Sequence, residues 1–139
     1  MAKKYQTERL EDKIFSILGR ALISLVTLPF KKNKKGNLSQ AWVEVQNLMK
    51  SDNPLSWSMA ILKADSILDS YLKTKVAGET MGERLRNVQS QMRYEAYQSA
   101  WEAHKLRNTI AHEHIEINRQ EADRAVMRFR AALNDLGAL

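Results

Sequence analysis

The chain of 139 residues has no cysteine. That excludes disulfides and thiolate metal sites and makes the reducing cytoplasm the default compartment. Proline occurs twice and glycine five times, so few residues interrupt a helix. Ala, Leu, Lys, Glu, Arg and Gln, the better helix formers, are plentiful instead. No segment alternates apolar and polar residues convincingly, so strands are not expected. A Gly-rich phosphate loop, an HExxH pair and a Ser-His-Asp order are all missing, and with them the commonest signatures of nucleotide hydrolysis and peptide cleavage. The single long apolar run is not followed by a small-residue cleavage site, which argues against a signal peptide.

What the chain does have is positive charge: net +6, with a pI near 9.7. A basic balance points to an anionic partner, either nucleic acid or an acidic membrane surface, without choosing between them. The length suits a single domain with a real core. Composition divides it into residues 1–37, an apolar helix with a Lys-rich linker, and residues 38–139, a helical bundle.

The N-terminal run IFSILGRALISLVTLPF, residues 14–30, places Ser16, Arg20, Ser24 and Thr27 on one side of a helix and Ile14, Leu18, Ala21, Leu22 and Leu25 on the other. Pro29 ends it, and KKNKKGN, residues 31–37, reads as a solvated loop. Three placements fit: packed on the core or on a partner chain, lying on an anionic membrane surface through its flanking lysines, or spanning a bilayer. Seventeen residues around Arg20 are short for a span. A cytoplasmic protein, or one peripheral on the inner face of the membrane, follows from these readings.

Downstream, helical spacing recurs. Leu38, Trp42, Val45 and Leu48 or Met49 define one helix over 38–50. Asn53 and Pro54 form a start signal for a second, expected to run to about Val76 with Gly78 as its stop. Thr80 and Glu83 form a capping box before Leu85, Val88 and Met92. A break is expected near residues 90–93, then a helix carrying Tyr94, Tyr97, Trp101 and His104. Asn118 and Glu121 form a second box before a last helix with Ala122, Ala125, Phe129 and Leu133, closed near Gly137. The fold class is all-α, an antiparallel helix bundle with an extra N-terminal helix.

One stretch, RNTIAH at residues 107–112, does not belong to a packing pattern. His104, Asn108 and His112 are four apart and share a slowly drifting stripe. Arg107 lies beside it. Arg107 and His112 are about 140° apart around an ideal helix and about 7.5 Å along it, so rigid geometry alone does not join them. A long Arg side chain, or a helix that loosens at its end just after His112, closes part of the gap. A helix end favours a cation by about 0.3–1 kcal/mol. A phosphate between the two groups satisfies both, since guanidinium binds two phosphate oxygens and imidazole moves protons. His104 and His112 are about 12 Å apart on a helix, too far to share one metal ion. No metal and no cofactor is expected.

RNTIAH resembles the R-polar-x-x-x-H signature of the HEPN superfamily, small all-α domains found in many bacterial toxin and defence ribonucleases. The strings WEAHKLRNTIAHEH (101–114), AILKADSILDSYL (60–72), GETMGERL (78–85) and EADRAVMRFRAAL (121–133) are similar to bacterial HEPN-like proteins. The likeness covers about residues 54–139 and leaves 1–37 unexplained. It implies metal-independent RNA cleavage at a cleft lined by the motifs of two copies. Arg107 would bind the scissile phosphate, Asn108 would orient neighbouring groups, and His112 would move protons as the 2′-hydroxyl attacks. The products would be a 2′,3′-cyclic phosphate and a 5′-hydroxyl. Some toxin members carry Tyr two positions after the His, where this chain has His114. Other HEPN-like proteins bind nucleotide, RNA or a protein partner and cut nothing, so a non-catalytic binding module is the second reading. A protein antitoxin or regulator is a further partner that the resemblance suggests.

Several residues are candidates for support of this cluster. Asp65 and Asp69, four apart, either face the cleft and tune His112 or form a solvated edge. Arg124 and Arg128 could track an RNA backbone. His104 could brace the site or sit at the core edge. Trp42, Trp57 and Trp101 read as core or interface.

Overall fold

The computed structural model describes residues 35–113 and 115–139. The apolar run at 14–30 and the three placements considered for it lie outside the described residues. Among the described residues there are five α-helices and no strand: α1 Lys35–Met49, α2 Pro54–Leu72, α3 Met81–Val88, α4 Tyr94–His112 and α5 Arg119–Asp135, with a 3-10 turn Gln89–Gln91 between α3 and α4. The all-α bundle expected from the sequence is what forms. None of these helices is long and apolar enough to cross a membrane.

Three helix starts lie where side chains satisfy free backbone N–H groups, while α4 begins after Arg93 without a side-chain cap. Asn53 Oδ1 accepts from the Leu55 N–H at 2.9 Å, with Pro54 at the first helical position. Thr80 Oγ1 accepts from Glu83 N–H at 3.1 Å, and Glu83 accepts in return from the N–H groups of Thr80 and Glu79. Asn118 and Glu121 make the same reciprocal pair at 2.9 and 3.0 Å. Both capping boxes are therefore present.

Two boundaries differ from the sequence expectation. Helix α1 begins at Lys35, inside the stretch read as loop. Once Leu38, Ala41, Trp42 and Val45 are buried, the packed face carries the helix back through Gly36 and Asn37 although both are weak helix formers. Helix α2 ends at Leu72 rather than near Val76, because the N–H groups of Lys75 and Val76 both turn back to the Leu72 carbonyl. Gly78 therefore stops nothing. Its φ of +147° instead opens space beside Arg84, whose Cγ would lie 2.9 Å from an added Cβ. The final helix closes on Gly137 at φ +73°, with Gly137 N–H donating to Asn134 and Ala138 N–H to Leu133, a Schellman arrangement.

Helix α2 is the axis of the bundle and packs on each of the other four. Ile61, Leu68 and Leu72 from α2, Leu85 from α3, and Phe129 and Leu133 from α5 are fully buried. Helix α4 supplies small residues instead, Ala96, Ala100 and Ala103, and Ala122, Ala125 and Ala132 are among the buried residues of α5. Small side chains let the two backbones come close, and α4 and α5 form the most extensive helix pair. Trp101 closes over Gly82, where an added Cβ would meet its ring at 3.3 Å. Tyr94 is 69% exposed at the start of α4 rather than on its apolar face.

Two predictions follow from this packing. Phe129 fills the centre, so Phe129→Ala should lower unfolding free energy by about 3–5 kcal/mol, measured by urea titration. The second concerns acid. Backbone donors from Glu79 and Thr80 hold the Glu83 carboxyl below its ordinary range, and the Arg93 guanidinium and N–H do the same for Asp135. Such a carboxyl adds stability above its unfolded pKa of about 4 and loses it as pH falls through the lower folded value. Stability should drop in that acid window, and the drop should be shallower in the double variant Glu83→Gln, Asp135→Asn.

Candidate functional site

The site is built where α4 lies against α2. Positions 104, 107 and 108 fall on one side of α4, and Asp65 meets them from the middle of α2. Asp65 is 4% exposed and His104 8%. The two carboxylate oxygens are divided: Oδ1 is 2.7 Å from His104 Nδ1, and Oδ2 is 3.3 Å from Arg107 Nε. The second contact is an ion pair without hydrogen-bond alignment, because Arg107 Nε is buried with no hydrogen-bond partner. Arg107 Nη1 donates to Asn108 Oδ1 at 3.2 Å, and Asn108 Nδ2 lies 3.3 Å from His104 Nε2. Asp65, His104, Asn108 and Arg107 thus form a closed ring of polar contacts. The Trp101 ring packs edge-to-face on the imidazole at 6.0 Å.

His112 is placed differently. It is the last residue of α4 and is exposed. Among the described residues no hydrogen bond or ion pair joins it to Arg107, whose side chain turns inward to Asp65. A single chain therefore holds the guanidinium and the imidazole at the same helix end without linking them. The position of His114 lies outside the described residues.

Asp69 belongs to another cluster. Its Oδ1 takes Arg84 Nε at 2.7 Å and Nη2 at 2.6 Å, and its second oxygen takes Lys73 at 3.0 Å. Arg84, 5% exposed, also donates to the Gly78 carbonyl at 2.5 Å. One helical turn is enough to separate the two acids, because α2 presents Asp65 to α4 and Asp69 to α3. Arg128 pairs with Glu102 at 2.6 Å across α4 and α5, and Arg124 is exposed. Neither reaches the ring around Asp65.

Arg84 is the important residue that sequence reading missed. The signal was available: Met81, Arg84, Leu85 and Val88 are spaced as one helical face, and all four are buried. An arginine buried in that stripe requires an acid packed against it.

Charge is unevenly distributed. Residues 35–139 hold 14 Lys and Arg against 13 Asp and Glu, while residues 1–34 hold 8 against 3. The bundle is close to neutral, so an anion bound there is held by local groups rather than by a broad basic surface. Among the described residues no three His, Asp or Glu side chains gather as a metal site would need. No family model, curated protein or solved structure matches the chain. The likeness to HEPN domains rests on its motif strings alone.

Breaking a buried ion pair by removing one partner is strongly destabilising because the remaining charge is left bare. Asp69→Ala should therefore cost about 3–5 kcal/mol in thermal or chemical unfolding. Lys73→Ala, which removes the exposed partner, should cost under about 1 kcal/mol.

Proposed function

We propose that the chain is a metal-independent endoribonuclease of HEPN type that acts as a homodimer, with Arg107, Asn108 and His112 of each copy lining one cleft. The observation that carries this reading is the anchoring of Arg107. A free surface arginine samples many rotamers, whereas this one is held by the buried Asp65 carboxylate and by Asn108. A guanidinium fixed at a helix end is prepared to receive a phosphate with little further loss of freedom.

The chemistry needs three roles. The RNA 2′-hydroxyl attacks the adjacent phosphorus and gives its proton to a base. Negative charge builds on the phosphoryl oxygens, where a guanidinium stabilises it. The 5′-oxygen leaves and takes a proton from an acid, giving a 2′,3′-cyclic phosphate and a 5′-hydroxyl. Imidazole can fill either proton role, and two copies of His112 in one cleft supply both. The exposed His112 of each chain suits this pairing. Within one chain it is not joined to Arg107, which is why the reading requires the second copy.

The inward pairing of Arg107 with Asp65 also favours the alternative, a module of the same shape that binds nucleotide, RNA or a protein without cutting. Incubation with single-stranded RNA in EDTA separates the two. Cleavage with cyclic phosphate ends is expected, and His112→Ala should slow it by about 10²–10⁴-fold with unchanged circular dichroism. Cleavage that persists in His112→Ala overturns the nuclease reading. RNA binding without cleavage by the wild-type chain assigns the cluster to the binding module.

A further inference from the structure

The proposed reaction leaves one buried imidazole, His104, without a task. Its two nitrogens face partners of opposite kind. A carboxylate oxygen only accepts, so the short contact from Nδ1 to Asp65 Oδ1 at 2.7 Å requires the proton on Nδ1. An amide nitrogen only donates, so Nε2, 3.3 Å from Asn108 Nδ2, is the acceptor. The other end of that amide is fixed as well. Arg107 Nη1 has only donors, and it faces Asn108 Oδ1 at 3.2 Å. The amide orientation, ordinarily ambiguous, is set from both sides. Turning over the amide, or moving the imidazole proton to Nε2, places two donors against each other.

We propose that His104, held by Asp65 as the Nδ1–H tautomer, is a positioning residue for Arg107. It turns Asn108 so that its carbonyl oxygen meets the guanidinium at Nη1, while the second oxygen of Asp65 lies 3.3 Å from Nε as an ion-pair contact outside hydrogen-bond alignment. The remaining guanidinium donors are left for the phosphate. The inference rests on the nuclease reading for its consequence in catalysis, but its geometric core stands apart from it. A plain structural staple between α2 and α4 would use the same atoms without affecting turnover by the folded protein.

The test uses the full chain in two measurements. Long-range ¹H–¹⁵N spectra of histidine-labelled wild type should show His104 protonated on Nδ1, with Nε2 as an acceptor. The Arg107 Nε–H signal should report hindered rotation and lose it in His104→Phe and in Asp65→Asn. In the second measurement, RNA cleavage in EDTA, kcat per folded molecule should fall by about one to two orders of magnitude in both variants, with KM little changed. An Nε2–H tautomer in the wild type overturns the proposal, and needs no variant to fold. So does wild-type kcat in both variants when the parent chain cuts. If the parent chain cuts no RNA, the nuclease reading falls. The tautomer and the Arg107 signal in His104→Phe then decide the positioning by themselves: hindered rotation that survives His104→Phe overturns it, and its loss supports it.

Discussion

An ionised carboxylate taken out of water has to be given donors by whatever packs beside it, or the fold loses several kcal/mol. Asp65 imposes that requirement in the middle of α2. Its oxygens are taken by His104 and Arg107, both from α4. That constraint fixes which side of α4 faces α2. The buried alanines of α4 at 96, 100 and 103 are nearly interchangeable and would tolerate a small rotation of the helix. A charged pair would not. The ring around Asp65 thus sets the register of α4, and with it the direction in which Arg107 points.

The same rule acts a turn further along. Asp69 demands donors from α3, and Arg84 supplies them while also taking the Gly78 carbonyl. Gly78 adopts a backbone conformation that suits the approach. Two acids on one helix therefore direct two different neighbours, α4 and α3, onto α2. Buried ion pairs of this kind add less net stability than an apolar contact of equal volume. Their value here is directional, since they admit few alternative packings.

The functional reading draws on this rigidity. The bundle itself is almost uncharged in balance, and the excess of positive charge lies in residues 1–34. A broad electrostatic field is thus not what the bundle offers to an anion. It offers one arginine tied to Asp65 by an ion pair and to Asn108 by a hydrogen bond, and one exposed imidazole at the end of the same helix. Local, pre-placed donors are the means by which a small site can stabilise a developing charge without reorganising at the moment of reaction.

Local chemistry was enough to read much of the fold. Asn53 with Pro54, Thr80 with Glu83, and Asn118 with Glu121 each satisfy backbone groups within four residues, so those helix starts are written in short strings. The apolar spacing of α5 identified Phe129 and Leu133 as core in the same way. Arg107, Asn108 and His112 were recognisable as a cluster because one helix carries them all. The partner that Arg107 takes was not recognisable: Asp65 lies 42 positions earlier, and its equal-looking neighbour Asp69 went to Arg84. Sequence spacing says that two acids share a region of a helix. Which donor each acid meets depends on the packing of helices distant in the chain, and there burial makes an unmatched charge too costly to leave alone.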